Sequence, residues 1–210
     1  MKTVSALRCF SFALSLALLL PGAAASAEAT EYDFQDPKGV SGVTFVMDSK
    51  VEPIIGIIGG VAGTVSYDPE APETFGGEIS IDLATTKMIN DTMAKHLKGK
   101  EWLNIQDQFR ATMSFDQVVS SEPGEESGTV LQVASTLSFG GKSIEMQIPI
   151  EATVVPGGAA ERGGAESGDL LVLRSMIEVS RLELGIKEDM PTDKVGETIM
   201  VLIPVVGYSQ

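Results

Sequence analysis

The chain has 210 residues, of which 43% are hydrophobic and 21% are charged. It carries 15 Lys and Arg against 29 Asp and Glu, a formal net charge of −14 at pH 7. This acidity disfavours nucleic acids and anionic lipid surfaces as partners, because both would be repelled. The length suits one globular domain, and the hydrophobic content argues against general disorder.

The N-terminal segment has the pattern of a secretory signal peptide. Lys2 and Arg8 are its only charges, residues 10–20 are almost entirely apolar, and residues 25–27 supply small side chains for cleavage after Ala27. The apolar run is shorter than the roughly 20 residues that cross a bilayer, so an uncleaved anchor is the weaker alternative.

We therefore predict a signal peptide at 1–27 and a single domain at 28–210. Without Lys2 and Arg8, 13 basic and 29 acidic residues remain, a net charge of −16, and the mature chain has no cysteine. The expected location is periplasmic or secreted, with no stable insertion into a membrane.

Alternation of apolar and polar residues dominates the mature chain and predicts an all-β protein. The pattern is clearest in residues 78–83, 109–115, 131–139 and 144–150, and further strands are predicted at 43–47, 61–67, 170–179 and 198–208. The pair Gly140-Gly141 is a hairpin signal that makes its two flanking strands antiparallel.

Closure of these strands into a barrel is expected, because an open sheet of this size would leave two exposed edges. We predict an antiparallel β-barrel of about eight strands. Pro149 and Pro204 lie within predicted strands and lack an N–H group. Each should therefore lie at a bulge, at an edge, or where a strand separates from its neighbour.

One segment has helical rather than alternating spacing. The apolar residues and good helix formers between residues 87 and 103 predict a single short helix from Ile89 to Lys98, ended by Gly99. Residues 120–128 and 156–168 are rich in Gly, Ser, Ala and Glu and predict exposed loops.

The mature chain contains few residues that could act in catalysis. His96 is its only histidine, and no serine-nucleophile motif, calcium loop or phosphate-binding loop accompanies it. We predict no catalytic residue, no metal and no cofactor.

A small barrel either fills its interior with side chains or holds one apolar ligand. Gly59, Gly63 and Ala111 are small residues that share the parity of bulky neighbours, and small residues leave room inside. The same residues also fit tight corners of a filled barrel. At this point the residues therefore allow either a filled interior or one that holds a ligand.

Six segments in order resemble the YceI-like family of exported bacterial proteins, which are lipocalin-like barrels described as polyisoprenoid-binding. The segments are residues 41–45, 61–69, 79–104, 137–150, 180–186 and 195–199. Two departures stand out: Met93-Ala94 replaces the family's Arg-Asp pair ahead of the histidine, and Leu184 replaces an aromatic ring.

The resemblance implies an extended antiparallel lipocalin-like β-barrel whose interior takes an isoprenoid or fatty-acyl chain, and it also implies a homodimer. The alternative is a protein-interaction module with a packed barrel and no lipid. For the lipid-binding barrel, we expect the pocket wall to include Phe45, Ile81, Phe109, Phe115, Phe139 and Met146. We expect His96 and Lys98 to contact the head group of the ligand.

Overall fold

A computed structural model describes residues 29–51, 53–107, 109–125, 127–163 and 167–210. The signal peptide expected at 1–27 lies outside the described residues. The division of the chain into 1–27 and 28–210 therefore stays a prediction.

The described chain is built almost entirely from β-strands. Its strands are β1 Thr30–Asp33, β2 Val43–Met47, β3 Ile54–Ile58, β4 Ala62–Asp68, β5 Ala71–Asp82, β6 Lys87–Met88, β7 Arg110–Pro123, β8 Thr129–Phe139, β9 Lys142–Val155, β10 Leu170–Ser180 and β11 Thr198–Ser209. The helices are α1 Asp91–Lys98 and α2 Gly158–Arg162, and a 3-10 turn spans Leu83–Thr85.

Eight strands close into an antiparallel barrel in the order β1-β4-β5-β7-β8-β9-β10-β11, and β11 pairs back to β1. The predicted all-β barrel of about eight strands is confirmed. Strand β11 also pairs with β2, β2 with β3, and β3 with β6. Strand β2 pairs with the N-terminal part of β11, and β1 pairs with its C-terminal end. Two short strands therefore lie beside β11 on this side of the barrel.

The two strand prolines lie where strands separate, as predicted. Pro204 falls between the part of β11 that pairs with β2 and the part that pairs with β1. Pro149 lies just beyond Glu151, the last residue of β9 that pairs with β10. In both places the missing N–H group falls on a side where the strand has no ladder partner.

Two glycine predictions have different outcomes. Gly140 and Gly141 have φ values of 61° and 76° and form the predicted hairpin, with Phe139 opposite Lys142. Of the two roles left open for Gly63, room in the interior and a tight fit between strands, the structure supports the second. The φ of Gly63 is 137°, and a Cβ there would collide with the backbone of Glu78, so Gly63 permits the close approach of β4 and β5.

The helix is present but begins later than predicted, at Asp91, because Asn90 caps it. The Asn90 side chain accepts hydrogen bonds from the N–H groups of Thr92 and Met93. Both loop predictions were too broad. Strand β7 extends to Pro123, and α2 occupies part of the 156–168 segment with Ala159 buried.

Candidate ligand cavity

The barrel interior contains an apolar cavity of about 170 Å³. Of the 26 described residues that line it, only Ser175 has a polar side chain. The barrel interior is therefore not filled by its own side chains, and the space that remains suits hydrocarbon.

Inward-facing residues of most strands form the cavity wall. In β2, for example, Val43, Phe45 and Met47 are buried while the residues between them are partly exposed. Because successive side chains of a strand point to opposite faces, strands β5, β7, β8, β9, β10 and β11 also direct alternate residues into the barrel. Their lining residues include Ile79, Ile81, Ala111, Met113, Phe115, Leu137, Phe139, Ile148, Ile150, Leu173, Ile177, Val179, Ile199, Val201, Ile203 and Val205.

Aromatic rings close one end of the cavity. The ring of Phe115 lies 5.1 Å from that of Phe75, and Phe75 makes an edge-to-face contact with Tyr67 at 5.8 Å. Tyr67 is 1% exposed, and burial raises the pKa of its hydroxyl group. This end is therefore a packed aromatic floor.

Two segments cover the opposite end and together form what we call the cap. Leu97 of α1 and Leu103 after it contribute one part of the lining, and Leu184 and Ile186 from the segment between β10 and β11 contribute the other. Lys187 joins the two parts through Glu101 at 3.2 Å. Hydrogen bonds to Asp189 and Glu101 raise the pKa of Lys187.

Arg181 organises the second part of the cap from inside. It is fully buried, and its guanidinium group donates five hydrogen bonds to backbone carbonyl groups. The acceptors are Gly196, Ile186, Lys187, Met190 and Val195, at 2.6–3.2 Å. All five N–H donors are therefore used to hold the segment that carries Leu184 and Ile186.

A slit runs along the barrel wall between β9 and β10. Their pairing ends at Glu151 and Arg174, so residues 142–150 and 175–180 form no ladder with each other. A hydrogen bond of 2.6 Å from the Ser175 hydroxyl to the Pro149 carbonyl bridges the slit where the pairing stops, at the end farther from the cap. Lys142 and Glu188 form a salt bridge of 3.0 Å between the start of β9 and the cap.

The structure brings four of the eight predicted site residues to the cavity. Phe45, Ile81, Phe115 and Phe139 line it. The other four lie elsewhere.

The remaining four do not line the cavity. Met146 is partly buried against the core, and Phe109 is 52% exposed beside Arg110. His96 is exposed on α1, and the Lys98 ammonium group donates to the Ala84 carbonyl at 2.8 Å. Their contact with a ligand stays a prediction.

Sequence reasoning missed the lining residues contributed by the cap. Leu97 carried a usable signal, because it is the one buried residue of a polar helix. Leu184 and Ile186 lie outside any strand, so alternation along a strand could not identify them.

The part of the chain that the structure describes contains no cluster of three or more His, Cys, Asp or Glu residues able to hold a metal ion. It also contains no helix long and apolar enough to cross a bilayer.

Comparison with known families identifies the barrel. The profile of the YceI-like domain matches residues 35–206. The chain belongs to the YceI-like family. No curated protein matches it.

Solved structures share the fold of this YceI-like domain. BcnA of Burkholderia cenocepacia superimposes with a TM-score of 0.62 at 18% identity, covering 79% of this chain and 95% of BcnA. The YceI protein of Campylobacter jejuni gives 0.60 at 16% identity, with coverage of 78% and 87%. A polyisoprenoid-binding domain from Saccharophagus degradans, implicated in plant cell wall breakdown, gives 0.60 at 11% identity, with coverage of 87% and 100%.

Proposed function

We propose that this YceI-like protein is exported and binds an isoprenoid or fatty-acyl amphiphile, with the hydrocarbon chain inside the barrel. The observation that carries the proposal is the cavity inside the barrel, where Ser175 is the one polar residue among the 26 described residues that line it. Membership of the family supports it, as does the similarity to a domain described as polyisoprenoid-binding.

The cavity volume leaves room for a hydrocarbon chain inside the barrel. Its 170 Å³ is many times the roughly 10–15 Å³ that a single water molecule needs. Burying ten methylene groups at about 0.8 kcal/mol each would supply about 8 kcal/mol. That energy corresponds to a Kd of about 1 μM before the costs of association.

The polar head of such a ligand would lie at the cap. The last turn of α1 carries Lys95, His96 and Lys98, next to the cavity-lining Leu97. The two lysines would favour a carboxylate or another anionic head in an otherwise acidic protein.

The first experiment is native mass spectrometry of the protein exported under its own leader. We expect the mass of a polypeptide that begins at Glu28. We also expect the additional mass of a bound prenyl or acyl compound, which is identified after solvent extraction. A polypeptide that retains residues 1–27 would contradict export by cleavage. A ligand-free barrel that takes up no lipid from an envelope extract would contradict the binding function.

A pair of neighbouring substitutions tests whether the ligand lies inside the barrel. Ala111 lines the cavity, whereas Thr112 follows it on β7 and does not. We expect Ala111→Phe to fill the cavity and to weaken binding of a fluorescent fatty acid at least about ten-fold, since overfilling excludes the chain. The matched variant Thr112→Phe should bind as the unchanged protein does. Equal effects of the two variants would place the ligand elsewhere.

A further inference from the structure

The slit in the barrel wall separates two strands that are well paired on their other sides. Strand β9 pairs with β8 from Lys142 to Ala152, and β10 pairs with β11 from Leu170 to Ser180. At about 3.3 Å per residue, the unpaired residues 175–180 make the slit roughly 20 Å long. Along this length β9 and β10 lack the ladder hydrogen bonds that hold each of them to its other neighbour.

Pro149 explains why the pairing between β9 and β10 stops. In an antiparallel ladder, the N–H and C=O groups of one residue point toward the same neighbouring strand. The Pro149 carbonyl faces β10, because it accepts the hydrogen bond from the Ser175 hydroxyl. The missing N–H group of Pro149 therefore also faces β10, where it would have been needed to continue the ladder.

The inward residues of β9 become more exposed toward the cap. Ile148 and Ile150 are each 2% exposed and line the cavity, whereas Ile144 and Met146 have the same parity and are only partly buried. On the opposite edge of the slit, Ile177 of β10 also lines the cavity. Hydrocarbon side chains therefore border the slit on both sides, and the cavity lies behind them.

One side chain crosses the slit at its cap end. Lys142, the first residue of β9, extends over Gly185 of the cap and forms its salt bridge of 3.0 Å with Glu188. Gly185 leaves the space for it, because a Cβ there would lie 2.7 Å from the Lys142 Nζ atom. The side chains of Lys142 and Glu188 are 44% and 62% exposed, so their salt bridge contributes little to stability and opens readily.

Other routes into the cavity are closed more firmly. The cap segment is held by the five hydrogen bonds of the buried Arg181, and the opposite end is closed by the packed rings of Phe75 and Phe115. Separating β9 from β8, or β10 from β11, would break a backbone ladder. Opening the slit breaks only the Lys142–Glu188 salt bridge and side-chain contacts near the start of β9.

We propose that the slit is the entrance through which the hydrocarbon chain of the ligand reaches the cavity, and that Lys142 and Glu188 close it. The inference rests on the proposed lipid-binding function and adds the route by which the ligand enters. A linear amphiphile enters sideways while its head group stays in water near the cap, so no polar group has to cross the apolar interior. The start of β9 moves outward to admit the chain, and the salt bridge re-forms behind it.

A crosslink across the slit tests the route, and the absence of cysteine from the mature chain makes the labelling specific. Lys142→Cys/Glu188→Cys, joined by a short bismaleimide, should slow both association and release of a fluorescent fatty acid at least about ten-fold in stopped-flow fluorescence. The equilibrium Kd should stay the same, because a closed entrance raises the barrier and leaves the bound state unchanged.

The cap offers a matched crosslink. Glu101→Cys/Lys187→Cys replaces the 3.2 Å salt bridge between the two parts of the cap and leaves the slit free. The same bismaleimide at this pair should change neither rate.

Removing the charge of Lys142 tests the closure in the opposite direction. Lys142→Gln should raise both rates about two- to five-fold, the range that a partly exposed salt bridge supports, and should leave the Kd unchanged. Lys87→Gln is the matched control, because Lys87 is exposed on β6 and loses the same charge. Rates in Lys142→Gln that equal those in Lys87→Gln overturn the closing role of the salt bridge.

The outcomes separate the entrance from the binding function. Unchanged rates in the slit crosslink, or equal slowing by the crosslink within the cap, overturn the slit as the entrance while equilibrium binding of the fatty acid still supports the proposed function. An unchanged protein that binds no fatty acid at equilibrium overturns the proposed function and the entrance together.

Discussion

At the scale of single residues, one glycine determines where a cavity-lining ring can lie. Gly56 on β3 is the cross-strand partner of Phe45 on β2. A Cβ atom at Gly56 would lie 2.5 Å from the Cε1 and Cζ atoms of the Phe45 ring. The absence of a side chain at this position therefore provides the space that the ring occupies, and the ring in turn shapes one wall of the cavity.

Gly56→Ala should push the Phe45 ring into the cavity. We expect weaker binding of a fluorescent fatty acid, and recovery of binding in the double variant Gly56→Ala/Phe45→Leu, because leucine leaves the space free. Gly76→Ala is the control, since a Cβ there has only an ordinary contact of 3.7 Å with the Phe115 carbonyl oxygen. No change in Gly56→Ala, measured by fluorescence titration, would contradict this role.

At the scale of elements, the cap depends on a buried cation more than on regular secondary structure. The segment between β10 and β11 contains no strand or α-helix, yet Leu184 and Ile186 are buried in it. Five backbone carbonyl groups between Ile186 and Gly196 accept hydrogen bonds from the Arg181 side chain. A planar group with five fixed donors can satisfy that arrangement, whereas a lysine has three donors at one point.

Arg181→Lys should therefore loosen the cap while keeping the charge. Losing two hydrogen bonds to a charged group should lower the free energy of unfolding by about 3 kcal/mol. Amide exchange should accelerate within residues 182–197 more than in β7 and β8. Arg174→Lys, on the exposed face of β10, is the control and should change neither quantity. Unchanged exchange in 182–197 would show that the apolar contacts alone hold the cap.

A second attachment joins α2 to the segment before β2. Asp36 accepts a hydrogen bond of 2.8 Å from the Arg162 guanidinium group, and its side chain is 3% exposed. Burial acts to raise the pKa of Asp36, but hydrogen bonds from Lys38 and Ser41, together with the charge of Arg162, hold it below its usual value of 3.8. The ionised form is therefore favoured in the folded protein.

This pKa shift predicts a specific acid sensitivity. A lowered folded-state pKa means that Asp36 stabilises the fold above pH 3.8 and that this stability is lost as the pH falls through the folded-state pKa. Asp36→Asn should cost about 2 kcal/mol at neutral pH, by urea unfolding, and the difference should shrink below pH 3.8. Glu161→Gln, an exposed change on α2, should show no such difference. A pH-independent cost of Asp36→Asn would contradict this explanation.

At the scale of the whole molecule, the long strands could be predicted from sequence, and the cap could not. Alternation places Phe45, Ile81, Phe115 and Phe139 on the inner face because each lies within a regular strand. The same parity fails for Phe109, which precedes the first residue of β7 and is half exposed. Leu184 and Ile186 of the cap are positioned by hydrogen bonds within their segment to Arg181, which no local pattern encodes.

The short strands were also missed, for a related reason. Strands β1 and β6 have four and two residues, too few for an alternating pattern to exceed chance, and the five residues of β3, Ile-Ile-Gly-Ile-Ile, do not alternate. Each is held by its pairing with another strand: β1 with β4 and β11, β3 with β2, and β6 with β3. Their identification needs tertiary pairing, not local propensity.

The pairing of β1 with β11 also determines when the barrel can close. Asp33 and Tyr208 are partners although about 175 residues separate them along the chain, whereas β7, β8 and β9 pair through hairpins. Contacts between distant residues form late, because the entropy of a long loop must be overcome first. If the chain crosses a membrane N-terminus first, β1 cannot pair with β11 until the C-terminal end of the chain has also crossed. The central hairpins of β7, β8 and β9 would then form first, and the remaining strands would complete the barrel on them.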